Sequence, residues 1–270
     1  YPSSGVPAFV AKFALMVVLA LGMVNNALMQ FTDRAFLAHE SMTSLEAILP
    51  ASMLVWIFLS FFQSAIAYSG VFVAQYHGAK NAAACVRCYR AAVLLSVVSG
   101  LVLFALLPVG GFIFSLSAPS AELLAREKSY YDICLSGGFF LLGQMAAASY
   151  FTGLGRTRIV FWVNLLGNVL NVALDPVLIF GLCGFPRLGI AGAAYATVAS
   201  MFLQWAVLTW AAHRAVRGIS APGGLWGIAW KILRLGIPSG GYAVLNTLSF
   251  TVFVFITGRV GDVAFAASNA

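Results

Sequence analysis

The sequence predicts an all-α integral membrane protein, a polytopic bundle of helices. Three observations predict it. Of the residues, 61% are hydrophobic and 9% are charged, where a soluble domain carries about 25% charged residues. The mean hydropathy of +0.95 comes from apolar stretches spread along the whole chain. The basic residues collect in alternate connections between those stretches, as they do where a chain crosses a bilayer repeatedly.

A membrane helix needs about 20 mostly apolar residues. Seven stretches meet that requirement, at 13–37, 47–75, 91–116, 131–152, 159–182, 190–212 and 236–257. Gly and Pro punctuate them. Gly153-Leu-Gly-Arg-Thr-Arg158 joins the fourth stretch to the fifth, and Gly181-Leu-Cys-Gly-Phe-Pro-Arg-Leu-Gly189 joins the fifth to the sixth. The connection 213–234 is longer and holds Gly218, Pro222, Gly223, Gly224, Trp226 and Trp230. Trp favours the headgroup level, so this segment is expected to be a linker with a short interfacial helix. It divides the chain into residues 1–212, residues 213–234 and residues 235–270. A shift of 220 positions lays Asn26 on Asn246, Leu28 on Leu248 and Ala47 on Ala267. The seventh stretch therefore restarts the pattern of the first, and duplicated bundles are a recurring transporter architecture. The chain opens on Tyr1 and stops just past the seventh stretch, so it is expected to be part of a longer protein.

The net charge of +7 reports topology rather than nucleic-acid binding. The connection after the second stretch holds Lys80, Arg87 and Arg90, and the next basic connection holds Arg156 and Arg158. Arg214, Arg217, Lys231 and Arg234 follow the sixth stretch. None of these segments contains Asp or Glu, whereas Glu40, Glu46, Glu122, Glu127 and Asp262 fall on the opposite side. The positive-inside rule puts the N-terminus and the basic connections in the cytoplasm of a multi-pass protein of the inner (plasma) membrane. The bilayer, including its anionic headgroups, is the expected macromolecular partner.

The four cysteines form no metal motif. Cys85-Val-Arg-Cys88 has half of a zinc spacing, with no second pair to complete it, and reads as two helical residues one turn apart. His39, His77 and His213 fall at stretch ends and read as interfacial residues.

The fifth stretch carries an unusual polar pattern. Asn164, Asn168, Asn171 and Asp175 recur at i, i+4, i+7 and i+11, which puts three amides and a carboxylate on one helical face. An ionisable group in a bilayer is costly and marks a functional site by default. The first stretch supplies a second one, Asp33. Counting residues from the outer ends places Asp33 and Asp175 at similar depth in the outer half of the membrane. Asn171 lies one turn below Asp175, while Asn164 and Asn168 read as interhelical hydrogen-bonding residues. The adjacent Arg34 offers the alternative of a local ion pair for Asp33. Carboxylate and amide oxygens are hard ligands suited to a proton or Na⁺.

At these residues the chain resembles the multidrug and toxic compound extrusion (MATE) family. The resemblance rests on Phe31-Thr-Asp33-Arg-Ala-Phe-Leu-Ala38, Val73-Ala-Gln-Tyr-His-Gly-Ala79, Gly153-Leu-Gly-Arg-Thr-Arg158 and Asn171-Val-Ala-Leu-Asp175-Pro-Val-Leu-Ile-Phe-Gly181. Pro186-Arg-Leu-Gly-Ile-Ala-Gly-Ala-Ala-Tyr-Ala-Thr197 and Leu235-Gly-Ile-Pro238 follow in the same order. It implies a transporter of two six-helix lobes working by alternating access. Residues 1–212 would be the N-terminal six-helix lobe, 213–234 a cytoplasmic inter-lobe linker and 235–270 the incomplete first helix of the C-terminal lobe. The family exports small amphipathic, cationic compounds in exchange for H⁺ or Na⁺. Asp33, Asn171 and Asp175 match its N-lobe cation site, and Thr197 matches a helix-six threonine that contributes in some members. No cofactor beyond the coupling ion is implied, and the complete protein is expected to be a monomer.

Two rivals are weaker. A flippase for lipid-linked oligosaccharides, from the same superfamily, would need cationic cavity residues to meet a pyrophosphate. The in-span charges here are mostly acidic. An intramembrane enzyme of the prenyl-transfer kind would need an acidic cluster to hold Mg²⁺ on a diphosphate, and no Asp-x-x-Asp occurs.

Overall fold

A computed structural model describes residues 29, 31–33, 35–116 and 120–260, with 42, 45 and 250–260 described by backbone alone. Among them every regular element is helical and no strand occurs. The helices are α1 (29, 31–33 and 35–40), α2 (Met42–Ala67), α3 (Ser69–Gly78), α4 (Ala82–Ala105), α5 (Leu107–Leu116), α6 (Ala121–Gly153), α7 (Thr157–Phe180), α8 (Ile190–Val216) and α9 (Trp226–Val260). Five of the described segments are long and apolar enough to cross a membrane: Glu46–Gly78, Ala82–Ala105, Ala121–Gly153, Thr157–Phe180 and Ile190–Val216. The chain is a multi-pass helical membrane protein.

Helix starts follow the polar residues that can cap them. The Ser41 hydroxyl accepts the Ser44 N–H at 3.1 Å, the Asn81 amide oxygen accepts Ala84 N–H at 3.0 Å, and the Ser120 hydroxyl accepts Leu123 N–H at 3.2 Å. Gly181 ends α7 at φ 74°, a left-handed cap position that glycine adopts without a Cβ penalty.

Helix α6 is the centre of the bundle. It packs against α2, α3, α4, α5, α7 and α8, and buries Tyr131, Leu135 and Leu142 completely. Leu59 of α2 and Leu103 of α4 close over its Gly138, and Val198 of α8 closes over its Gly137. Bulky side chains on the outer surfaces, among them Trp56, Leu101, Trp162 and Phe202, remain exposed, as lipid-facing residues should. Helix α8 also lies close against α7. A Cβ placed on Gly192 would stand 2.5 Å from the Leu178 carbonyl oxygen. That approach brings the first turns of α8 onto the polar face of α7.

The structure corrects the expected starts of three stretches: the fourth begins at Ala121 rather than 131, and the third and seventh are shifted as well. The third stretch begins nine residues sooner than the expected 91, at Ala82, and breaks at Leu106 into α4 and α5. Arg87 and Arg90 are therefore helical rather than in a connecting loop. Hydropathy marks only the part of a helix inside apolar surroundings, while Asn81 and an alanine-rich first turn nucleate it earlier. In the same way α9 starts at Trp226 and runs through the expected start at 236. It packs on α2 and α4, and the non-helical part of the 213–234 segment is confined to residues 217–225. Residues 79–81, 154–156 and 217–225 form one set of connections, and the Arg87 guanidinium donates to the Pro222 carbonyl at 3.2 Å across that end.

Candidate functional site

Helices α1, α6, α7 and α8 bring their polar side chains to one buried place. Asp33 is 7% exposed, Asn171 and Asp175 are 0% exposed, and Thr197 is 8% exposed. The Asp175 carboxylate lies in contact with that of Asp33. No amide, hydroxyl or cationic group among the described residues donates to either Asp175 oxygen. Asn171, one turn below on α7, donates from Nδ2 to the Thr197 hydroxyl at 3.4 Å. Thr197 in turn donates to the Ala193 carbonyl within α8 at 3.0 Å. This orientation leaves the Asn171 amide oxygen buried without a donor.

The four expected site residues are thus together, and their placement has local causes. The α7 polar residues share a face because of their helical spacing. Pro176 directly follows Asp175 and has no N–H, so the Val172 carbonyl lacks its helical partner and the helix is locally weakened at the carboxylate. The Arg34 alternative for Asp33 lies outside the described residues, as does the repeat match at Asn26.

Two further residues line the site and were not singled out from the sequence. Tyr130 of α6 lies beside both Asp33 and Asp175, and hydrogen-bonds with Cys134 one turn on. Their i, i+4 spacing on one helix was the available signal, but aromatic and Cys residues are ordinary core residues. Gln144 of α6 donates to Asn164 at 2.8 Å, an interhelical hydrogen bond. Asn168 is buried. Cys85 and Cys88 sit buried one turn apart on α4, and no group of three His, Cys, Asp or Glu residues suited to a metal occurs among the described residues. His39, His77 and His213 are exposed.

A polar clasp lies at the C-terminal end of α1, beyond the site. Glu40 lies seven residues beyond Asp33 on α1, about 10 Å along the helix. Its carboxylate accepts from Ser41 at 2.9 Å and from Ser44, and pairs with Arg126 of α6 at 3.7 Å and Arg187 of the α7–α8 loop at 3.2 Å. Burial pushes the Glu40 carboxyl up, but the Ser44 and Ser41 hydroxyls and the Arg126 and Arg187 guanidiniums outweigh it. The net effect holds Glu40 below its ordinary value of 4.5.

Two buried carboxylates from different helices, beside an amide oxygen with no donor, give a polytopic membrane protein with a buried acidic site. Comparison with known proteins gives the family. The MatE family model matches residues 19–177, and the chain belongs to that family. It is 30% identical to the probable multidrug resistance protein NorM of Thermotoga maritima over 266 residues, covering 95% of this chain and 54% of that relative. It is 27% identical to the probable NorM of Geobacillus kaustophilus, covering 96% of this chain and 58% of the relative. The chain spans about half the length of the curated relatives it matches. Among solved structures it is similar to a crystal structure of a MATE point mutant, with a TM-score of 0.79, 22% identity, and 93% of this chain covering 56% of that one. The outward-facing conformation of a multidrug resistance MATE transporter gives a TM-score of 0.78 at 22% identity, with 93% and 55% covered. A MOP superfamily transporter from Pyrococcus furiosus gives 0.75 at 22% identity, with 96% and 58% covered. These likenesses support the same helical fold.

Proposed function

We propose that the chain forms part of a secondary active exporter that moves small amphipathic, cationic compounds out of the cell in exchange for H⁺ or Na⁺. It is a transporter rather than an enzyme. It works by alternating access as a monomer in the inner (plasma) membrane, with its N-terminus cytoplasmic. MatE membership supports the transport reading, and the relatives named as probable multidrug resistance proteins support the cargo class.

The contact between the Asp33 and Asp175 carboxylates carries the coupling proposal. Two negative charges side by side in apolar surroundings repel strongly. A proton held by the pair, or Na⁺ held between Asp33, Asp175, the Asn171 amide oxygen and the Thr197 hydroxyl, removes that repulsion. Loading from outside then favours the arrangement in which α1 stays against α7, and unloading favours one in which they separate. A ligand with different affinities for two arrangements shifts the balance between them. The acidic site also argues against the flippase alternative, which needs positive charge to meet a pyrophosphate.

The direct test is Asp175→Asn in the complete protein, with efflux of a cationic dye measured under separately imposed pH and Na⁺ gradients. The expected result is loss of gradient-driven efflux with normal membrane insertion. Unchanged efflux would remove Asp175 from the coupling site.

A further inference from the structure

Helix α6 carries an acidic residue, Asp132, that belongs to a groove apart from the coupling site. Asp132 lines a groove of about 610 Å³ together with Phe104, Phe139, Phe140, Tyr195 and Val198. Helix α6 forms the floor through Asp132, Ser136, Phe139 and Phe140, at i, i+4, i+7 and i+8. Phe104 of α4 and Tyr195 of α8 form the rims, 45% and 49% exposed on the surface where Leu101 and Phe202 also face outward. Helix α9 packs on α2, α3 and α4, away from the α6–α8 side of the groove.

The chemistry of this groove is specific. One Asp132 carboxylate oxygen is buried with no hydrogen-bond partner. Lys128, one turn outward on the same helix, is the one charged side chain acting on it among the described residues, and the two form no ion pair. Below Asp132, the groove offers aromatic faces and no second charge. A volume of this size is that of a small-molecule site. A carboxylate at the outer end of an aromatic slot complements an ammonium ion attached directly to an apolar body. The cation is met by the carboxylate and ring faces, and the body by the remaining walls. A double-tailed phospholipid fits less well, because its phosphate would have to lie between its ammonium and its chains, against Asp132.

We propose that this membrane-facing groove is a binding site for a lipophilic ammonium ion partitioned into the bilayer, with Asp132 holding the ammonium and Phe139, Phe140 and Tyr195 holding the apolar body. The site is separate from Asp33 and Asp175, and it does not depend on how the protein couples transport. It would receive cationic amphiphiles from the lipid phase rather than from water.

The test uses the complete protein in phosphatidylcholine nanodiscs, titrated with a fluorescent alkyl-trimethylammonium probe. Saturable binding is expected, weakened about tenfold by Asp132→Asn and by Tyr195→Ala. Asp175→Asn should leave this binding unchanged, so failure of the coupling reading and failure of the groove are told apart. A neutral probe of equal tail length should bind no better to the unmodified protein than to Asp132→Asn. Probe binding that is indifferent to Asp132→Asn in a folded protein overturns the proposal. So does displacement of the probe by phosphatidylethanolamine at ordinary membrane content, which would assign the groove to a lipid. If Tyr195→Ala impairs insertion, the probe titration of Asp132→Asn decides alone, since Asn preserves the side-chain volume.

Discussion

Replacing Glu40 by Gln tests whether the polar clasp at the end of α1 holds that helix over the site. Gln keeps one oxygen acceptor for Ser41 and Ser44 but removes the charge that both guanidiniums meet. Arg187 is 61% exposed and its contact at 3.2 Å is screened by water, so it contributes at most about 1 kcal/mol. Arg126 is 29% exposed and also donates to Ser41 at 3.2 Å and to Ser44. Its contact, together with the weakened hydroxyl bonds, accounts for about 1 kcal/mol more. The expected loss is about 2 kcal/mol near neutral pH. Because Glu40 is held below its ordinary value, its contribution is complete above the unfolded value and disappears as pH falls through the lowered folded value. Glu40→Gln and the unmodified protein should therefore differ in unfolding midpoint near neutral pH and converge in acid. The assay is thermal unfolding of the complete protein in detergent across that range, with Arg126→Ala and the double variant completing a cycle. A coupling of about 1 kcal/mol between Glu40 and Arg126 is expected. An equal deficit at every pH, or no coupling in the cycle, would refute the reasoning.

Other outcomes follow from the same geometry. Gly192→Val should destabilise the protein by about 1 to 3 kcal/mol, because its Cβ would meet the Leu178 carbonyl rather than a side chain that can turn aside. Thermal unfolding measures this, and Gly111→Ala, with only the Lys128 side chain nearby, is the neutral control. Cys183 is exposed in the α7–α8 connection, whereas Cys85, Cys88 and Cys134 are buried. Among the cysteines of this chain, a membrane-impermeant maleimide applied to intact cells should label Cys183 alone, and Cys183→Ser should abolish that labelling. Labelling only after the membrane is opened would reverse the proposed topology.

How much was legible in the sequence varies with the kind of interaction. The α7 stripe was legible because helical periodicity is local, and Asp175 stood out because a carboxylate in an apolar stretch has no cheap explanation. Counting residues along two helices sufficed to match Asp33 with Asp175 in depth. Tyr130 escaped notice because its role depends on facing those carboxylates from a third helix, and nothing in its own stretch says so. Asp132 falls at the edge of the fourth stretch, and only the rims from α4 and α8 make it part of a groove. The start of α4 was misplaced because hydropathy reports surroundings, while capping by Asn81 decides where hydrogen bonding begins.

The sequence by itself determined that the chain crosses a membrane as helices. A backbone in lipid must satisfy its own hydrogen bonds, and composition alone shows that most of this chain is made for lipid. It also determined which helical face of α7 is polar. Only the tertiary structure decided what that face meets. Helix packing is set by where small residues let neighbours approach, as Gly192 does for α8 against α7 and Gly137 does for α8 against α6. Those contacts join residues far apart in the chain, so no local pattern records them. They turn Asp33, Asn171, Asp175 and Thr197 from polar residues on three separate helices into one buried site.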